Sequence, residues 1–162
     1  MTERLTLSLA SDVIAKATAR NLMIATAESC TGGLISAALT DVPGASHVFT
    51  HGFVTYANIA KERQLGVDPA VIAAHGAVSA QVAAQMAKGA CQAAAADAAV
   101  SVTGIAGPGG GTPDKPVGLV YIATATKAGT VTHRHLFPTP ASRSTIRVWT
   151  ARAALRHLLA VI

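Results

Sequence analysis

The chain has 162 residues, 51% hydrophobic and only 13% charged, which excludes a disordered or highly solvated polypeptide and supplies one well-buried core. Much of the apolar material is alanine, so close helix packing is expected rather than a bulky aromatic core. Aromatic residues at 4% argue against nucleic-acid binding by base stacking. The net charge of +5 invites a nucleic-acid reading, but its distribution tempers it. Asp114 is the last acidic side chain, and Lys115, Lys127, Arg134, Arg143, Arg147, Arg152 and Arg156 follow it without an acid. This basic end suits a small anionic ligand as well as a polymer.

Mean hydropathy is +0.42, yet no apolar run reaches the ~18 residues of a membrane span. Met1 to Ala10 lacks a cationic start followed by an uninterrupted apolar core, so no secretory signal is expected. Cys30 and Cys91 are too few and too far apart for a disulfide framework or a zinc site. The expected setting is reduced and cytoplasmic.

In chain order, Ala10, Val13, Ile14 and Ala17 mark one face of a helix over about residues 5–20, closed by Asn21. Leu22 to Ala27 predicts a buried strand, and Leu34 to Leu39 a helix. Between them lies the tight turn Glu28-Ser29-Cys30-Thr31-Gly32-Gly33. A loop follows, from Asp41 to Ser46. Val48 to Tyr56 predicts a strand, and Ala57 to Leu65 a short helix ended by Gly66. Asp68 and Pro69 open another helical turn, which ends at Ala74-His75-Gly76. Ser79 caps a long alanine-rich helix reaching Ala95. Ala98 to Val102 predicts a strand, and Thr103 to Pro116 is a loop dense in glycine and proline. Gly118 to Thr126 and Thr130 to Phe137 predict an antiparallel hairpin. A last helix runs from Ser142 to about Leu159.

No composition break or repeat marks a second domain, so residues 1–162 form a single domain. The expected fold class is α/β, three-layer α/β/α with a mixed, mostly parallel sheet. The segments 28–33 and 103–116 both follow predicted strands, which places them at one edge of the sheet, where such folds gather their sites.

Ser29 sits at a strand-to-helix turn, where free backbone N–H groups suit an oxyanion or a phosphate. Ser29 or Thr31 could equally just cap the helix. A nucleophilic serine needs a base. The histidines 47, 51, 75, 133, 135 and 157 lie in no polar motif. His133 and His135 share a strand face at a spacing that can bind metal, but the sequence offers no third ligand, and a half-exposed strand face is expected. Lys61 is the other candidate, with Tyr56 to relay a proton or orient a leaving group. Spacing alone favours a solvated lysine paired with Glu62 or Asp68. The run Val102-Thr103-Gly104-Ile105-Ala106-Gly107-Pro108-Gly109-Gly110-Gly111 makes sense where a backbone must approach a ligand, or as a surface loop or subunit contact. It is neither a Walker A loop nor a dinucleotide fingerprint. Arg143 and Arg147 share a helix face bordering the stripe Val148, Ala151, Leu155 and Leu158, with Arg152 and Arg156 on the opposite border. Arg143 and Arg147 can reach one phosphate near the helix N-terminus, or form a solvated basic face.

Together, Ala27-Glu28-Ser29-Cys30-Thr31-Gly32-Gly33-Leu34, Gly52-Phe53-Val54-Thr55-Tyr56 with Asn58 and Lys61, Gly76-Ala77-Val78-Ser79 and Val102 to Gly110 resemble the CinA carboxyl-terminal domain family. That family includes the bacterial nicotinamide-nucleotide amidases. The similarity runs from about residue 5 to 159. The amino-terminal domain of two-domain CinA proteins is absent, so the stand-alone amidase form is expected. The resemblance implies an α/β/α fold and hydrolysis of the carboxamide of nicotinamide mononucleotide to nicotinic acid mononucleotide and ammonia, in pyridine nucleotide recycling. It implies Ser29 as nucleophile, Lys61 as its base and Tyr56 as a catalytic helper. Thr31, Gly32, Gly33, Thr103, Gly104, Ala106, Gly107, Gly109, Gly110 and Arg143 are implied to bind substrate. Arg143 matches an arginine that the family keeps in a Gly-Asp-Arg context; here Ala141 and Ser142 precede it. The expected partner is a small-molecule nucleotide substrate, with no cofactor, metal, membrane or nucleic acid, and the apolar and glycine-rich loops suggest a homo-oligomer. Since the family also holds members with no demonstrated amidase activity, a non-catalytic nucleotide-binding or regulatory module is the alternative.

Overall fold

The computed structural model describes residues 2–162, with side chains from residue 4 onward. Met1, the first residue of the segment read for an export signal, lies outside them. The elements are α1 (Thr2–Ala19), β1 (Ile24–Glu28), α2 (Leu34–Thr40), a 3-10 turn (Ala45–His47), β2 (Phe49–Val54), α3 (Asn58–Leu65), α4 (Pro69–His75), α5 (Ala80–Ala94), β3 (Ala98–Gly104), β4 (Leu119–Thr126), β5 (Gly129–Leu136) and α6 (Arg143–Val161). The strands form one mixed sheet in the order β2-β1-β3-β4-β5. β1 pairs in parallel with β2 and β3; β4 pairs antiparallel with β3 and β5. Four strands thus share a direction and β4 alone opposes them.

Alternation along the strands sorts side chains to the two faces. Ile24, Val100, Val102, Val120 and Ile122 join α1, α2 and α6 in one core. Ala25, Ala27 and Ala99 face Val82, Met86, Ala90 and Ala94 of α5 on the other. The second layer is built from small side chains, as the alanine content implied. At Gly89 of α5 an added Cβ would overlap the Leu65 carbonyl, so only glycine lets α5 lie this close to α3. Among the described residues, no helix is long and apolar enough to cross a membrane.

Caps follow the sequence signals. Ser79 Oγ accepts from the Val82 amide, Asp68 from Ala70 and Ser142 from Thr145. Each such cap is worth about 1 kcal/mol. Boundaries near the ends of β1, β2 and β3 differ from expectation for physical reasons. β1 starts at Ile24, because the Leu22 amide closes α1 on the Ala17 carbonyl and the Met23 amide bonds the Asp97 carboxylate. β2 stops at Val54, because the Thr55 and Tyr56 carbonyls turn to accept from Lys61. Thr103 and Gly104 belong to β3, paired with Tyr121 and Val120, rather than to the loop.

β1 is followed by β2 on one side and flanked by β3 on the other, so the connections diverge between β1 and β3. In open α/β sheets a crevice forms outside the carboxyl ends of strands at such a point. Ser29 follows β1 there, and the glycine-rich loop follows β3.

Candidate active site

The serine turn is anchored on both sides, with the Ser29 amide donating to Val102 O at 3.1 Å and the Thr55 amide to Glu28 O at 2.8 Å. Glu28 ends β1 fully buried, and its carboxylate accepts from the amides of Gly33 (2.9 Å), Ile35 (3.1 Å) and Ser36 (2.8 Å). These are the orphan donors of the start of α2, so an internal carboxylate occupies the anion position at that helix end. This corrects the expectation that this helix start is open to a phosphate. The Gly33 amide is taken by Glu28 and that of Gly32 by Ser29 O at 3.1 Å. Both glycines instead supply backbone shape, at φ 59° and 102°. Such left-handed conformations disfavour other side chains.

Lys61 lies one turn into α3 and is 1% exposed. It shares the buried face of that helix with Leu65, four residues on. Its Nζ lies 2.8 Å from Thr55 O, 3.3 Å from Tyr56 O and 3.2 Å from Ser29 Oγ. The surface pairing with Glu62 or Asp68 that spacing favoured does not form; among the described residues the recorded ion pair is Lys127–Asp97. Burial without a carboxylate pushes the Lys61 ammonium below its ordinary value of 10.5, against a smaller opposing effect of Cys30. A neutral amine has two N–H bonds and one lone pair. The two carbonyls take the N–H groups, which leaves the lone pair for the Ser29 hydroxyl proton.

Arg143 and Arg147 do not converge on one spot. Arg143 donates through Nη1 to Gly107 O at 2.9 Å and through Nη2 to the Tyr56 hydroxyl at 2.8 Å, bridging the glycine loop and the exposed tyrosine. Arg147 donates through Nε to Cys30 O at 3.1 Å and through Nη2 to Thr31 O at 2.7 Å. Nor do they border a stripe on α6. Ile146, Thr150, Ala151, Ala154 and Leu158 are buried around them, so the core face is wider than the sequence pattern suggested. A trans peptide holds its C=O and N–H on opposite sides. Arg147 on Cys30 O therefore turns the Thr31 amide away from α6, and among the described residues that amide has no partner.

Thr103 is buried and donates its hydroxyl to Ala77 O at 2.8 Å, which ties the end of β3 to the segment before α5. A Cβ at Gly104 would press on Val120, and one at Gly107 on Val117, so these glycines serve close packing. Ala106 is buried, whereas Gly109 and Gly110 are exposed at the tip, Gly109 with open space around it and Gly110 beside Ile105. The hydroxyls of Thr31 and Thr55 are buried beside the dyad with no partner among the described residues. Sequence reasoning missed Glu28 and the clamp of Arg147. The one available signal for Glu28 was a carboxylate ending an otherwise apolar strand.

Away from this site, His157 of α6 joins the two strand histidines. His135 and His157 approach through their Nε2 atoms at 2.8 Å, and His133 stacks on His157 at 3.9 Å. Among the described residues, no group of three or more His, Cys, Asp or Glu is arranged to hold a metal ion.

The mixed sheet, its helical layers and a buried lysine–serine pair at the β1 end define an α/β protein with its candidate site in a strand-end crevice. The family model for the CinA C-terminal domain matches residues 6–162, and the chain belongs to this family. A CinA-like protein of Akkermansia muciniphila is 50% identical over 152 residues, covering 94% of this chain and 36% of the relative. A CinA-like protein of Chlorobaculum tepidum is 62% identical over 108 residues, covering 67% of this chain and 26% of the relative. The chain therefore spans about a third or less of the length of these curated relatives. Among solved structures, the competence/damage inducible protein CihA from Agrobacterium tumefaciens superposes with a TM-score of 0.93 at 48% identity, covering 96% of this chain and 94% of that one. A CinA superfamily protein from Escherichia coli gives 0.90 at 34% identity, covering 100% and 91%.

Proposed function

We propose that this domain hydrolyses the carboxamide of nicotinamide mononucleotide, giving nicotinic acid mononucleotide and ammonia. The observation that carries the reading is the Lys61 Nζ to Ser29 Oγ distance of 3.2 Å, with the lysine buried and facing no carboxylate. Neutral Lys61 takes the Ser29 proton as Oγ attacks the carboxamide carbon. The Thr31 amide meets the developing oxyanion, and one such donor is worth roughly 3 kcal/mol, or about a hundredfold in rate. The Tyr56 oxygen accepts from Arg143, which leaves its own O–H to donate toward the leaving amine. Protonated Lys61 returns its proton to the amine, directly or by relay through the Tyr56 hydroxyl, and ammonia departs with Lys61 neutral again. Water then attacks the acyl ester, Lys61 takes its proton and passes it to the departing Ser29 Oγ, and the acid is released. Arg143 and the loop around Gly107 supply the anion-facing wall for the substrate phosphate.

Ammonia release from nicotinamide mononucleotide, measured beside calorimetric binding, tests the proposal. Wild-type turnover with near-total loss in Ser29→Ala supports it. Equal rates in the two proteins would refute it, and binding without turnover would favour the regulatory module. The exposed apolar side chains of Val54, Tyr56 and Ile59 beside the site favour self-association, which sedimentation velocity measures.

A further inference from the structure

We propose that the outer edge of β2 is a two-fold interface on which a second copy of this chain docks, joining the two sheets into one of ten strands, five from each. This rests on the self-association proposed above and names its surface; no step of the hydrolysis enters it. In the order β2-β1-β3-β4-β5 two strands are edges, and they differ. β5 exposes Arg134, a charge of the kind that guards an edge. β2 is Phe49-Thr50-His51-Gly52-Phe53-Val54, without lysine, arginine, acid or proline. Its bulge lies at its start, opposite Ile24 and Ala25, so the stretch from Gly52 onward is regular. Thr50, His51, Gly52 and Val54 are exposed. None of the devices that keep a strand edge single is present there.

The backbone decides what fits. The Thr55 amide donates to Glu28 O, toward β1. Successive residues of a strand turn their N–H and C=O to opposite sides, so Phe53 also serves β1, whereas Gly52 and Val54 face outward. Two outward residues spaced by one are self-complementary. An antiparallel copy that sets Gly52 opposite Val54 exchanges both hydrogen bonds at each of two equivalent places, about an axis at Phe53. Every outward N–H and C=O of these two residues is then used. His51 stacks on Phe53 at 5.7 Å, so an aromatic pair meets its own copy across the axis. The docking also covers Val54, Tyr56 and Ile59, at or just past the strand's end and each about half exposed or more. A chain of net charge +5 repels its copy, which favours contact through an uncharged edge. The register places Thr50 of the second copy opposite Tyr56, beside the contact that Tyr56 makes with Arg143, so the copy walls one side of the serine site.

Sedimentation velocity on the full chain, up to about 200 µM, tests the surface. The expected result is a dimer, with dissociation at least tenfold easier in Val54→Lys and unchanged in Val131→Lys. Both positions are exposed, on β2 and β5, so both variants keep the fold. In Phe53→Cys, oxidised by glutathione disulfide, a link through residue 53 is expected. Antiparallel partners at such a place have Cα atoms about 4.5 Å apart, within disulfide reach. Peptide mapping separates this link from any through Cys30 or Cys91. A monomer at every concentration overturns the proposal together with self-association. A dimer untouched by Val54→Lys, one broken by Val131→Lys, or a dimeric Phe53→Cys without the link overturns this surface alone. Ammonia release enters none of these readouts, so failure of the amidase is a separate result.

Discussion

Ser36 gives both its amide and its hydroxyl to one oxygen of Glu28, each at 2.8 Å, and the same hydroxyl lies 2.8 Å from Thr26 Oγ1. A Cβ on Gly52 would overlap Ser36 Oγ. A buried carboxylate, a helix start and a neighbouring strand are thus locked together immediately before Ser29. Replacing Glu28 by Gln sets an NH2 group against one of these donors. The expected cost is about 2–4 kcal/mol, read as a lowered denaturant midpoint, together with a fall in kcat. An unchanged midpoint would remove the carboxylate from the framework.

The depressed Lys61 ionisation sets a pH dependence. Only the neutral amine accepts the Ser29 proton, so kcat/KM should rise with pH and level off at a point below 10.5. Lys61→Arg cannot lose its proton and should cost about a hundredfold or more. The same burial costs stability below pH 10.5, where the unfolded lysine is charged, and the cost vanishes above it. Lys61→Met should therefore melt no lower than wild type at pH 7, although inactive. A lower Tm would show that the carbonyl contacts outweigh desolvation.

The two arginines should separate kinetically. Arg147→Met frees the Cys30 and Thr31 carbonyls, so kcat should fall about tenfold or more with little change in KM. Arg143→Ala should mainly raise KM for the mononucleotide. A KM effect in Arg147→Met would make that residue a ligand contact rather than a positioning residue.

His157 gives a stability test. Its ionisation falls from 6.5 to about 4 in the folded state, so the unfolded chain binds the extra proton first. Stability is complete above pH 6.5 and declines as pH falls toward 4. After discounting for partial solvent screening, the loss is about 1–3 kcal/mol. His157→Gln should flatten the fall in Tm over that window, and a parallel fall would assign the loss to other groups.

Gly89→Ala should displace α3 from α5, because a methyl has no room at the Leu65 carbonyl. A cost of about 1–3 kcal/mol is expected from overpacking. Activity should fall as well, since α3 carries Lys61. Full activity at reduced stability would mean that the lysine is held by β2 alone.

Most elements were legible because caps and breakers stand where the chain turns. Asp68-Pro69, Ser79, Gly66 and Ser142 each mark the boundary they form. The candidate dyad was legible in part: Ser29 through its turn, and Lys61 as a base candidate that spacing ranked below a solvated lysine and family resemblance raised, since burial of a lysine is a tertiary property. Arg147 and the third histidine escaped because each acts on a partner far away in the chain, and Glu28 escaped because nothing local marks a buried carboxylate as the cap of the next helix. Arg147, for example, bonds a carbonyl 116 positions earlier. The core face of α6 was drawn too narrow, because alanine and Thr150 carry too little hydrophobic contrast to mark it.

The clamp by Arg147 also fixes an order of events in synthesis. Ser29 and Lys61 leave the ribosome early, but the guanidinium that braces the serine turn lies in α6, near the other end of the sequence. A nascent chain that has made β1 to β5 holds Ser29 and Lys61 without the brace. The serine turn therefore gains its full bracing only once α6 docks, so the site is finished last although its central pair is made first.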